Sequence, residues 1–427
     1  MPRIRFRALL LLPLFAFPAS AATTTLDVTV AAGKYDRTGT PVCHTLTLPA
    51  AFADAKIVAL KDENGKPLAV GQLTGLGLLN DAAEAPKGEV SRELHFILPS
   101  LKAGEALKLK AVISSEKPET RADIFNWHDE PGEYSELCLG DAPVLRYIDK
   151  PFDDSTPEKR FETYKVFHQL FDPDGKRLVT NGVDAKQLYP HHRGIFYGFR
   201  EVTYDDGKKT DIWHCPKAHQ ANEKILDTEA GPVLGRQRAL IGWYGDAKDL
   251  FANEERELTV YDTHGGRLVE FASRLRPVKG VVHLDGDPQH AGFHFRAASE
   301  VAAKTAKETF YVRPDGVGKP DETRNWDPKT KEGPVNLPWD AMSFVLGDQR
   351  YTVAYLDRPQ NPKEARFSER DYGRFGSYFV ADATEKKPVE VDYRLWLQDG
   401  PMTVGQVAAK SADFVTPPEV KVTVGDK

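Results

Sequence analysis

The sequence predicts an all-β protein, with a large two-sheet supersandwich domain preceded by a small β-sandwich module. Three observations lead there. Apolar and polar residues alternate over many short segments, clusters of Gly, Pro, Asn and Asp separate those segments, and a sustained helical period is almost absent. No repeat of propeller length is present.

The first 21 residues read as a leader. Arg3, Arg5 and Arg7 precede an apolar run over 8–17, and Pro18-Ala19-Ser20-Ala21 supplies a small-residue cleavage site after Ala21. The expected location is therefore periplasmic or secreted. The apolar run is too short for a membrane span, and no later segment reaches the required length. Cleavage removes three arginines and no acid, leaving 54 basic against 63 acidic residues and a formal net charge of −9. That balance argues against nucleic acid or an anionic membrane as partner, while a local arginine cluster still permits an acidic substrate.

Residues 22–120 form the expected small module. Alternation over 23–30, 93–98 and 106–113, with a short apolar run at 56–60, gives its strands, and Asn64-Gly65 and Ala103-Gly104 give turns. The chain turns polar over 114–133, which marks the boundary. The large domain is expected over 131–420, with strands at 144–148, 240–244, 257–261, 268–275, 351–356, 377–381 and 389–397, and a short helix near 403–411. Two long polar connections, 204–230 and 313–337, suit binding walls as well as surface insertions. Of three cysteines, Cys43 and Cys138 lie outside the histidine-rich region and are the favoured disulfide. Cys215 reads as a buried inert thiol ahead of a nucleophile or metal ligand.

Chemistry concentrates in three segments. Leu188-Tyr189-Pro190-His191-His192-Arg193-Gly194 sets two imidazoles and a guanidinium before an apolar, aromatic strand. Such groups are costly to desolvate unless they are paired or used, and imidazole moves protons near neutral pH. In 285–296, alternation sends Phe293 and Phe295 to one face and His294 and Arg296 to the other. In 366–376, arginines, Tyr372 and glycines share a short loop.

Pro190-His191-His192-Arg193-Gly194, Trp213, Gly292-Phe293-His294-Phe295-Arg296 and Asp357-Arg358-Pro359-Gln360-Asn361-Pro362 together resemble the exported bacterial family labelled "methane oxygenase PmoA". The resemblance runs from about residue 134 to the C-terminus. It implies architecture: a large β domain similar to the supersandwich of aldose epimerases and some polysaccharide lyases, and hence a carbohydrate ligand. A methane mono-oxygenase subunit would need several membrane spans, and this sequence offers none after its leader.

Three functions fit. The first is an exported carbohydrate-active enzyme (hydrolase, lyase or epimerase). His191 or His192 would act as base or acid, with His294 or Tyr372 as the complementary group. Arg193, Arg296 or Arg374 would orient the substrate or neutralise a uronate, with Trp213 and Trp326 as stacking platforms and His214 and His290 as further polar contacts. Hydrolysis would need two carboxylates, for which Asp285, Asp287 and Glu300 are candidates. The second is a non-catalytic glycan-binding protein using the same residues. The third is a metal site on His191, His192, His214 and His294. No spacing such as H-E-x-x-H supports it, and adjacent strand histidines would point to opposite faces. No metal ligands are therefore assigned and no cofactor is required; the residue types would admit a divalent metal, but the spacing does not support one.

Overall fold

The computed structural model describes residues 22–115, 124–183 and 186–424; the leader and its cleavage site lie outside them. The chain is nearly all β, as the alternation demands. Thr23–Ala31, Arg37–Pro49, Ile57–Lys61, Pro67–Thr74, Glu89–Leu101 and Ala106–Ser114 form one antiparallel sheet around a core that includes Val30, Leu60, Leu98 and Ile113. Its seventh strand is Glu419–Val424, which pairs with Thr23–Ala31. The last strand of the chain thus returns to the first module, across the sequence-based limit at 420.

The larger part is a sandwich. An eight-stranded sheet runs in the order Arg366–Arg370, Arg374–Tyr378, Ala291–Arg296, Ile195–Phe199, Phe167–Leu170, Ala142–Ile148, Tyr134–Leu139 and Phe125–Glu130. A nine-stranded sheet faces it, with Leu234–Tyr244, Leu250–Thr263, Gly266–Pro277, Val389–Asp399 and Gln349–Asp357 at its centre. Aromatics from both inner faces interlock: Phe293 lies 4.3 Å from Phe271 and 4.7 Å from Tyr393, ring centre to ring centre. The outer face of each sheet is left for other uses.

Several elements differ from expectation. Phe125–Glu130, placed in the polar boundary, is an edge strand paired with Tyr134–Leu139. The connection 204–230 contains the long strand His219–Ala230, whose charged residues hide its alternation. The expected strand 377–381 covers the end of Arg374–Tyr378, a break at 379–380 and the start of Ala381–Thr384. The C-terminal helix runs Val404–Val415 and opens with a capping box between Thr403 and Gln406. No disulfide forms: Cys43, Cys138 and Cys215 are all free, the first two on strands of different sheets. Among the described residues, no helix is long and apolar enough to cross a membrane.

Candidate functional site

The histidines gather on the outer face of the eight-stranded sheet. Register sets Phe196 beside His294 and Arg296 beside Arg374, all pointing away from the sandwich core. Gly376 stands next to His294, where a Cβ would sit 2.2 Å from the Phe293 carbonyl oxygen. Glycine there lets the strands approach and frees the space that Arg374 and His294 share. The segment carrying His191 and His192 is a turn leading into strand Ile195–Phe199. Gly194 adopts φ +50°, and a Cβ on it would collide with the His168 carbonyl.

Because His191 and His192 lie in a turn, their rings meet edge to face at 4.2 Å instead of diverging as on a strand. His191 lies 4.6 Å from His214, and His214 lies 5.0 Å from His290. Trp213 packs against His192 and His294 at 5.6 and 4.9 Å. Tyr372 stacks almost parallel to His192 at 6.4 Å, and Tyr189, in the left-handed region at φ +53°, closes the rim 5.0 Å from Tyr372.

The hydrogen bonding sorts these residues by role. His294 is fully used: Nε2–H donates to the Ala291 carbonyl and Nδ1 accepts from Arg374 Nη1, each at 2.9 Å. That makes it a support for Arg374 and leaves it no free nitrogen for proton transfer. His214 and His290 donate from Nδ1 to Asp211 (2.8 Å) and Asp287 (2.9 Å), which fixes each ring and aims Nε2 elsewhere. By contrast, both ring nitrogens of His192, Nε2 of His191 and Nε1 of Trp213 are buried without a partner among the described residues. Each such group carries a desolvation cost of about 1–3 kcal/mol, so their clustering marks a place built to receive something polar.

Electrostatics narrows what that is. Lys165, 2% exposed, donates to the carbonyls of Trp213 and His191. Arg374 donates to His294, Tyr372 and Ser368, and Arg296 to the carbonyls of Tyr372 and Leu188. Both guanidinium groups belong to fully buried residues, and among the described residues none of the three cations has a carboxylate within ion-pair distance. Burial pulls the Lys165 amine down to about 8. Burial first, then the neighbouring cations, holds His191 down at about 2 and His192 well below its ordinary value, so both are neutral.

Other candidates have structural positions. The Arg193 guanidinium points to the opposite side of its turn, stacks on Tyr164 at 4.3 Å and donates to carbonyls of Phe161 and Glu162. Trp213 is wholly buried and forms the floor, with no open face for a sugar ring. Trp326 is 4% exposed, packs on Tyr378 and is covered by Arg366, with no ring contact to the histidines. Among the proposed hydrolytic carboxylates, Asp287 is committed to His290, Glu300 pairs with Lys304, and Asp285 bonds the Gly286 amide. Lys165 and Asp211 escaped sequence reasoning, and Asp287 was read as a hydrolytic carboxylate instead of the partner of His290. The two aspartates carried a signal in the repeated spacing Asp211-x-x-His214 and Asp287-x-x-His290.

Cation binding fits poorly here. His191, His214 and His290 line up, but Lys165 and Arg374 both act on His191 as positive neighbours. The one set of candidate ligand atoms in mutual reach among the described residues, on Cys43, Glu93 and His95, lies elsewhere.

Fold and site together define a β-sandwich protein with a histidine-lined, cation-rich site on one outer face. The chain belongs to a family of unknown function (DUF6807), whose model matches residues 135–412, a span that contains every histidine, arginine and lysine of this site. Comparison with curated proteins gives no match. Among solved structures the chain is similar to a protein in the glycosyl hydrolase family 38 from Enterococcus faecalis, with 10% identity and a TM-score of 0.44. The likeness covers 94% of this chain and 47% of that one, so this chain spans about half the length of the solved protein. A likeness at that level assigns no activity.

Proposed function

We propose that this protein is an exported carbohydrate-active enzyme that works on an anionic sugar, of uronate type, by proton transfer from histidine and tyrosine. One observation carries the reading: buried imidazole nitrogens without a partner among the described residues stand beside three buried cations that have no counter-ion among those residues. A carboxylate on the sugar would complement Lys165, Arg296 and Arg374, and its hydroxyls would engage the free nitrogens.

The same charge links binding to chemistry. Burial, and after it the neighbouring cations, keep His191 and His192 too acidic to accept a proton readily. An arriving carboxylate offsets those cations and raises the imidazole pKa toward the working range. His192 then takes the proton from the carbon beside the sugar carboxylate. Tyr372, whose hydroxyl accepts a hydrogen bond from Arg374 Nε at 3.2 Å, returns a proton to the sugar or to the departing oxygen. That sequence describes a lyase or an epimerase. Hydrolysis is less well served, because Asp211 and Asp287 are both bound to histidines.

The test is mass spectrometry of products from uronate-containing and neutral oligosaccharides, using the mature protein and His192→Ala. Unsaturated or epimerised uronate products from the wild type, with turnover reduced by about 100-fold or more in the variant, are expected. Products from neutral glycans alone, or equal turnover in both proteins, would contradict the proposal.

A further inference from the structure

The opposite outer face, that of the nine-stranded sheet, meets the N-terminal module across a cavity of about 370 Å³. Strand register builds its floor. Thr259, Glu270 and Arg394 form one row across three strands, and Glu257, Ala272 and Asp392 form the next. Leu78, Asn80 and Glu93 of the first module close it from above. Alanine in the middle of the floor leaves a notch between four charged side chains.

Here the charges are matched. Arg394 holds Glu270 at 2.6 Å, Arg358 holds Asp392 at 2.7 Å, Arg238 holds Glu257 at 2.6 Å, and Arg236 holds Glu93 at 3.1 Å. No surplus charge awaits an ion, unlike at the histidine site. Yet Glu270 Oε2 and Asp392 Oδ1 accept no hydrogen bond among the described residues, and both side chains reach the cavity, at 20% and 17% exposure. Free carboxyl oxygens beside arginine forks suit a ligand whose groups each donate and accept, which is the property of a sugar hydroxyl. The volume lies at the small end of ligand pockets, of the size that holds one or two sugar rings.

A metal is a worse occupant. Cys43, Glu93 and His95 lie within mutual reach, but Glu93 is already bonded to Arg236, Asn80 and the Gly77 amide. The Arg236 guanidinium, bound to Glu93, would also repel a cation.

We propose that this cavity is a second carbohydrate site, which binds a neutral saccharide between the two modules through Glu270, Asp392, Arg358 and Arg394. It is separate from the histidine site and lies on the other side of the sandwich.

The experiment is calorimetric titration of the full chain with neutral mono- to trisaccharides of gluco, galacto, manno and xylo configuration. At least one is expected to bind one to one. Glu270→Gln should weaken it by about tenfold or more, the cost of a lost hydrogen bond to a charged group. Ala272→Leu keeps every ion pair but fills the notch, and should abolish binding while the melting temperature stays near that of the wild type. Excess glucuronate should leave the affinity unchanged. No binding across the panel, full affinity in Ala272→Leu, or displacement by glucuronate would each overturn the proposal, the last by placing the neutral sugar at the histidines.

Discussion

Lys165 shows how the site trades stability for a task. Its amine is enclosed by Phe196 and Trp213, has two carbonyls for company and lacks a carboxylate among the described residues. A buried, unpaired cation costs several kcal/mol unless something compensates it. Lys165→Met keeps the stem and removes the charge. The variant should melt higher than the wild type in the absence of ligand, by scanning calorimetry, and should lose most of its affinity for a uronate. A lower melting point would mean that the amine is a structural strut. His294 makes the opposite point, since a histidine in the right strand on the right face turns out to have both nitrogens occupied. Residue type and position in the sequence could not separate it from His192, because the difference lies in which neighbours arrive from 80 residues away, as Arg374 does.

At the scale of elements, the turn around Gly194 decides whether the histidines assemble. Its positive φ reverses the chain just after Arg193, and the strand that follows sits against the His168 carbonyl. Gly194→Ala meets both an unfavourable backbone conformation and a collision. A loss of about 2 kcal/mol or more is expected, together with loss of turnover, measured by chemical unfolding and product assay. The strand Ala291–Arg296 was legible from alternation alone, because Phe293 and Phe295 share one face and His294 and Arg296 the other. The turn was not, since nothing in Pro190-His191-His192 announces that the two rings will face each other. His219–Ala230 was also hidden: it is a sheet edge with much of one face in solvent, so charge replaces the apolar signal.

For the whole molecule, the fold class followed from periodicity, whereas the relation between the modules did not. The last strand pairs with the first, and Arg37 of the first module is locked to Asp413 of the C-terminal helix at 2.9 Å, contacts nearly the full length of the chain apart. Local pattern carries no information on such pairings. The buried histidines also set a global pH response. His191 is held at about 2 and His219 at about 4, with His168, His192 and His294 well below their ordinary value, all chiefly by burial. Their folded pKa values lie below the unfolded one, so the unfolded chain binds more protons and stability falls as pH drops below about 6.5, by up to about 1.4 kcal/mol per unit per histidine. Asp392, pushed up to about 7, and Asp340, raised well above its ordinary value by burial, act in the opposite sense over this range; Asp149, Glu229, Asp357, Glu369 and Asp399 are also raised by burial, but from ordinary values below it. The melting temperature should therefore decline steeply between pH 6.5 and about 4.5. A flat profile over that range would show that these imidazoles are not buried neutral.

The account stands on the claim that the histidine site is built for an anion. Calorimetric titration of the wild-type protein with a glucuronate or galacturonate oligosaccharide, beside the same sugar with its carboxyl groups reduced to alcohols, tests this directly. The uronate should bind with a 1:1 stoichiometry that Arg374→Met and Lys165→Met remove, and reduction should weaken that binding by about 10- to 100-fold, the range for charge-assisted hydrogen bonds. Equal affinity for the charged and reduced sugars at this site, or uronate binding that survives both substitutions, would contradict it.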